Sequence, residues 1–296
     1  VILRLDRIAI PLPKSDSPDP NAAAAVQELL GGKYGEMSTL MNYTYQSFNF
    51  RGRAPLRPFY DLVANIAAEE YGHVELVSYT INLLLTGAGK RDPDPAAAPL
   101  EPLKDVRNSY HWVAAGNAAL PVDSMGNPWN GTFVTNTGNL KMDLLFNFHL
   151  ECGARANKIR AYESTRNPTA RAMIGYLLVR GGVHIVSYAK ALEKLTGVSV
   201  GKVLPIPDIS NKKFPEARAH EEKGEHLRLY QFSVDDYKRA GEIWTGPHPE
   251  DGKECVYQHL PKDYGAPAPD LEPEPQLGAP LDPETLADMA KKLGGK

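Results

Sequence analysis

Apolar residues recur at helical spacing along four stretches of the chain. The first spans about residues 21 to 52, where Leu29, Leu40 and Tyr43 fall on one stripe. Asp19 or Asn21 can cap its start, with Pro20 in the first turn. A second stripe, Val63, Ile66, Val74 and Val77, continues from after Pro58 to about Leu85 and stops at Thr86-Gly87-Ala88-Gly89. Two more helices are predicted over residues 140–164, with Leu144 and Phe148, and 168–196, with Leu177 and Tyr188. Arg166-Asn167-Pro168 separates them. Residues 87–138 lack this period. They carry prolines at 93, 95, 99, 102, 121 and 128 and the stretch MGNPWNGTF, which suits a long crossover rather than a turn.

The flanks read differently. Residues 1–20 predict a short strand through Leu3, Leu5, Ile8 and Ile10, then a proline-punctuated loop. Residues 198–262 are irregular, with one short helix expected over 215–229. Residues 261–283, rich in Pro, Gly and acidic groups, read as an extended arm that wraps another subunit, and an amphipathic helix closes the chain over 283–293. The expected division is 1–20 as an N-terminal segment, 21–197 as the bundle and 198–296 as an irregular C-terminal region with its arm. Helix, helix, long crossover, helix, helix is the order of ferritin-like bundles, so the fold class is an all-α core of that four-helix kind.

Composition narrows the class without naming a chemistry. The 296 residues are 42% apolar and 23% charged, with a formal charge of −3, which gives no reason to expect nucleic acid or an anionic membrane as partner. No unbroken apolar run approaches the roughly 18 residues needed to span a bilayer. The charged N-terminal stretch lacks a signal-peptide core. Two cysteines, Cys152 and Cys255, make no disulfide framework and fit a reducing, cytoplasmic setting, with Cys152 read as a buried, inert thiol.

The chemistry enters where polar residues interrupt the apolar stripes. Glu36, Glu70, His73, Glu151 and His184 each occupy a position where a core residue is expected. Glu70-Tyr71-Gly72-His73 is a Glu-x-x-His step whose ends share one helix face. A buried carboxylate is costly unless a cation pairs with it. Three carboxylates and two imidazoles on four helices are the donor set of a dinuclear metal site in a bundle. Singly, each would be read as a surface or capping residue. Glu69, about 100° from Glu70, reads as a solvated or interfacial charge, and His149 as pointing away. His111, His220, His226, His248 and His259 lie outside the four helices and read as surface or interface residues. Met37, Leu40, Met41, Tyr45 and Phe48 read as core.

The segments LLGGKYGEMSTLMNYTYQSFNFRG, NIAAEEYGHVEL, SMGNPWNGTF, DLLFNFHLECGARANK and GYLLVRGGVH resemble the manganese catalases, the non-haem dinuclear kind. The resemblance implies two manganese ions per chain, no haem, hydrogen peroxide as substrate and a homohexamer tied by C-terminal arms. It implies Glu36, Glu70, His73, Glu151 and His184 as ligands, with Glu36 as the shared bridge. Glu70 with His73 would then serve one ion, and Glu151 with His184 the other. Tyr43 resembles a tyrosine that hydrogen-bonds the bridging carboxylate, and Lys158 a lysine near the substrate channel. Asp61 is a candidate ligand for the structural calcium some members bind. The second Glu-x-x-His is here Gly181-Gly182-Val183-His184, so the place of a proton-accepting glutamate in part of the family is glycine.

Peroxide disproportionation takes two electrons from one molecule and gives two to the next. A metal pair cycling between Mn(II)2 and Mn(III)2 does this one electron per ion, and hard carboxylates suit manganese. A di-iron oxidase would want a fourth carboxylate where Gly181 stands. A storage or purely structural bundle would want a shorter chain. Gly181 and Gly182 each cost a helix about 0.5–1 kcal/mol, which suggests close approach of a ligand or backbone there.

Overall fold

The computed structural model describes residues 6–14, 17–86, 118–200, 209–271 and 283–294. The expected strand residues Leu3 and Leu5, the first part of the crossover with His111, and residues 272–282 of the proline-rich arm lie outside these. Among the described residues, six helices pack or flank the body: α1 Pro20–Gly31, α2 Glu36–Phe48, α3 Arg57–Thr86, α4 Leu140–Ser164, α5 Pro168–Thr196 and α6 Pro215–Glu222. A seventh, α7 Pro283–Gly294, is exposed along its length. The fold is a ferritin-like helical bundle, with α1 and α2 sharing the role of its first helix.

That division departs from the single helix expected over 21–52. Gly31-Gly32-Lys33-Tyr34-Gly35 breaks it. A Cβ on Gly31 would stand 2.2 Å from the Val122 carbonyl oxygen, and one on Gly35 2.7 Å from that of Leu30. The break lets the crossover chain pass close, and it starts a new helix at Glu36. The other ends follow the local chemistry. Asp19 caps α1 with Pro20 in its first turn, Asn139 caps α4, and Asn167 followed by Pro168 opens α5, which ends at Gly197 with φ 72°.

The stripe Met37, Leu40, Met41, Tyr45 and Phe48 is core only at Met37, which packs against the main apolar cluster. Tyr45 and Phe48 are exposed, and the buried face of α2 is polar: Ser38, Thr39, Asn42, Gln46 and Ser47 beside Glu36 and Tyr43. The cause is the crossover. Its returning backbone lies along α1 and α2 without a sheet to pair with, so helix side chains meet its polar groups. Asn42 donates to Phe133 O and accepts from Thr135 N, and Gln46 donates to Thr135 O. Gln27 donates to the Leu120 and Val122 carbonyls, and Trp129 Nε1 donates to Ser38 Oγ.

α5 is the central helix. It is long and apolar enough on average to cross a membrane, but charged residues such as Arg180 interrupt its apolar run and 89% of its most apolar stretch is buried in the bundle. The C-terminal region packs beside it. The helix expected over 215–229 stops at Glu222, and the chain continues as β2 Arg228–Gln231, paired in parallel with β3 Val256–His259. β1 Arg7–Ile8 pairs antiparallel with β4 Ala266–Pro267. Arg7 donates to the carbonyls of Tyr264 and Gly265. The segment after Pro261 is therefore bound to the body as far as β4, and an arm can only begin beyond it.

Candidate metal centre

The five expected residues converge at the middle of the bundle, each at 2% exposure or less. Glu36 comes from the first turn of α2, where the positive end of the helix dipole favours a carboxylate. Glu70 and His73 come from α3, Glu151 from α4 and His184 from α5. Ligand atoms of Glu36, Glu70 and His73 lie within 4.8 Å of one another, as do those of Glu70, Glu151 and His184.

Glu70 belongs to both clusters. Its Oε2 is 3.1 Å from His73 Nδ1, and its Oε1 is 2.8 Å from His184 Nδ1. On the outer sides, Glu36 Oε2 is 3.4 Å from His73 Nδ1 and Glu151 Oε1 is 3.3 Å from His184 Nδ1. The carboxylate common to both clusters is thus Glu70, whereas the resemblance implied Glu36 as the bridge. Tyr43 OH donates to Glu151 Oε1 at 2.7 Å rather than to the shared group. Thr39 Oγ1 donates to Glu70 Oε2 at 3.0 Å.

Glu69 is the residue that the sequence reading misplaced. It is buried at 2% exposure, not solvated. Its Oε2 lies 3.2 Å from His184 Nε2 and its Oε1 3.7 Å from His73 Nε2. Arg180, fully buried on α5, donates Nε to Glu69 Oε1 at 2.6 Å and Nη1 to the carbonyls of Glu225 and Arg228. The far nitrogens of both histidines therefore face one carboxylate anchored by one guanidinium, while both Nδ1 atoms face inward. The imidazoles lie near parallel, centroids 5.6 Å apart. The available signal was the Glu69-Glu70 doublet together with Arg180, a charge in the apolar middle of α5.

Burial penalises the charged forms of these groups, and opposite charges override it. Glu36 is held far below the usual carboxylate range because Lys158 and His73 outweigh its desolvation. Glu69 is depressed chiefly by Arg180, against its burial. His73 is pushed up to about 10: burial opposes its charge, but Glu70, Glu36 and Glu69 more than offset that. His184 rises in the same way through Glu69, Glu70 and Glu151. Lys158 stands 2.8 Å from Glu36 Oε1, and Glu36 holds its charge against burial.

Gly181 opens onto this centre. A Cβ there would lie 3.5 Å from Lys158 Nζ and 3.9 Å from Glu151 Oε2, whereas one on Gly182 would meet nothing within 4 Å. Asp61 is elsewhere. It pairs with Arg57 at 2.6 Å and accepts from Arg239 N at 3.0 Å, and it belongs to no metal-ligating group among the described residues.

The fit to metal ions rests on the orphaned atoms. Glu36 Oε2, Glu151 Oε2 and His184 Nδ1 are buried, face one another's cluster and carry no well-aligned hydrogen bond among the described residues. Buried polar atoms left so are costly, and divalent cations are what carboxylates and imidazoles in this arrangement accept.

The chain is similar to known proteins over most of its length. The family described as manganese containing catalase matches residues 4–296. A manganese catalase of Bacillus subtilis is 31% identical over 264 residues, 88% of this chain and 92% of that protein. One of Lactiplantibacillus plantarum is 32% identical over 273 residues, 89% of this chain and 94% of that protein. The crystal structure of KatB, a manganese catalase from Anabaena, superposes with a TM-score of 0.56 at 22% identity, covering 79% of this chain and 93% of that one, and shows the shared fold. With its helical bundle, its buried carboxylate and histidine centre and a family match from near one end to the other, this chain belongs to the manganese-containing catalases.

Proposed function

We propose that Glu36, Glu70, His73, Glu151 and His184 hold two manganese ions per chain, with Glu70 bridging them. One ion falls to Glu36 and His73, the other to Glu151 and His184. The observation that carries this is Glu70 itself, whose two oxygens face the two histidine Nδ1 atoms separately. The family's reaction, and this chain's, is disproportionation of hydrogen peroxide to water and oxygen at a manganese centre. The bound pair supplies the two-electron change that this reaction needs.

The residues of the chain then have distinct tasks. Tyr43 and Thr39 fix the carboxylates of Glu151 and Glu70 by donating to them. Glu69, held by Arg180, sets its negative charge opposite the outer nitrogens of both imidazoles and so favours the orientation in which Nδ1 faces the metal positions. Gly181 leaves space beside Lys158, and Lys158 Nζ is the protein group placed to hold a proton where a glutamate would otherwise stand.

A homo-oligomer, the hexamer implied by the resemblance, is supported by the apolar side chains the single chain leaves out. These are Tyr45 and Phe48 on α2, Met142 and Leu145 on α4, and Leu286, Met289 and Leu293 on α7. The unpaired thiols of Cys152 and Cys255 support a cytoplasmic setting. Calcium finds no support at Asp61, whose carboxylate is taken by Arg57 and a backbone N–H.

Metal analysis with oxygen evolution from peroxide tests the reading. Close to two manganese per chain and oxygen release without haem absorbance are expected. Iron as the only active metal would overturn it.

A further inference from the structure

Outside the bundle, a second group of nitrogen and oxygen donors meets in the C-terminal region. His226 lies in the short turn Glu225–Leu227 ahead of β2, and His248 and Asp251 lie three residues apart in the turn leading to β3. Both histidines were expected at the surface or an interface, yet His248 is 3% exposed and His226 9%. His226 Nε2 is 3.1 Å from Asp251 Oδ2, and His248 Nδ1 is 3.9 Å from Asp251 Oδ1. One ligand atom from each residue lies within 4.8 Å of the other two. Two bonds of about 2.1 Å meeting tetrahedrally put their donors about 3.4 Å apart; the 3.1 Å separation at Asp251 Oδ2 is near that value, and His248, 3.9 Å from Oδ1, would draw in on binding.

The surroundings hold these donors in place. The imidazoles stand edge to face with centroids 5.3 Å apart, and Trp244 packs against His248. His248 is fixed at both backbone ends, its N–H donating to Lys253 O and its carbonyl accepting from Gly252 N. His248 Nδ1 accepts a long 3.3 Å bond from Glu250 N–H, which a metal ion at Nδ1 would have to displace. Lys253 N–H donates to Asp251 Oδ1. The buried His226 Nδ1 has no hydrogen-bond partner among the described residues. The competing cation among these residues is Lys253 Nζ, 3.4 Å from Asp251 Oδ2, on a side chain two-thirds exposed and able to swing into water.

We propose that His226, His248 and Asp251 form a third metal site, for a divalent transition ion of the zinc class. Two imidazoles with a single carboxylate favour zinc, cobalt, nickel or copper over manganese, whose preference is for oxygen. Asp251 is the partly exposed member, so the remaining coordination position opens toward water.

The manganese-loaded full-length protein should bind one further Zn(II) per chain in equilibrium dialysis, with its manganese retained. Co(II) at the same site should give the visible absorption of a four-coordinate ion. His248→Ala and Asp251→Asn should each weaken zinc at least ~10-fold, leaving manganese content and oxygen evolution unchanged. Asp251→Asn guards against misfolding, because Asp251 is partly exposed; its thermal midpoint should match that of the parent. No zinc beyond that which displaces manganese would overturn the proposal. So would wild-type zinc affinity in both variants.

Discussion

In the bundle centre two imidazoles face four carboxylates, with a lysine and an arginine beside them, all carried on helices and all buried. In the C-terminal cluster two imidazoles face one partly exposed carboxylate, all carried on turns. The helices of the centre are held by their own apolar contacts, so the charges they present can be arranged without regard to local comfort. The turns of the second cluster lean on a smaller apolar patch, Leu229, Ile243, Trp244 and Cys255, and on the donors' own backbone bonds. Where packing is independent of the site, a protein can concentrate charge that only a metal satisfies. Where it is not, the site stays small, nitrogen-rich and nearly neutral.

The largest expected difference comes from removing a histidine in the centre. His184→Ala should bring oxygen evolution below detection and lower manganese per chain, while circular dichroism shows an intact bundle. Full metal and full activity in this variant would break the distinction between packing and site. The same preparation should keep its affinity for zinc.

Next in size is Glu69. Replacing it with leucine strands Arg180 as a buried, unpaired charge, which should cost about 3–5 kcal/mol in chemical denaturation. Glu69→Gln keeps the shape and should weaken manganese about 10–100-fold by loosening both imidazoles. An unchanged manganese affinity would reduce Glu69 to an ion-pair partner.

Gly181 sharpens the comparison further. Gly181→Ala should be accepted and stabilise α5 by about 0.5–1 kcal/mol, because the new Cβ meets only ordinary contacts. Gly181→Glu places a carboxylate against Lys158 and Glu151, and activity should be lost as it draws Lys158 from Glu36 or takes a metal position. A crystal structure with peroxide kinetics separates these outcomes; full activity with the carboxylate turned away would remove Gly181 from the site.

The smallest effect concerns Cys152, beside Glu151 in sequence. Burial, with the Glu151 charge as second cause, pushes its thiol up to about 12. At pH 8 alkylation should be at least ~100-fold slower than that of a free thiol, and mass spectrometry of iodoacetamide-treated protein would show it.

The sequence by itself determined three long helices, because α3, α4 and α5 bury apolar stripes between strong capping and stop signals, such as Asn167-Pro168 before α5 and Gly197 after it; the fourth, expected over 21–52, is two shorter helices, α1 and α2. It also singled out the five donors, since a carboxylate or imidazole on a buried stripe is too costly to keep unless a partner of opposite charge meets it there. Tertiary structure decided the rest. That Glu70 is common to both clusters depends on where α4 and α5 bring Glu151 and His184, which no helical period in α3 announces. The polar burial of α2 depends on the crossover, which no period in α2 announces. Glu69 became part of the centre only because Arg180 and both imidazoles reach it from other positions on α3 and α5. His226, His248 and Asp251 met only because two turns well separated in the chain fold against each other. Periodicity reports which face of an element is buried; which buried groups meet is a property of the packed chain.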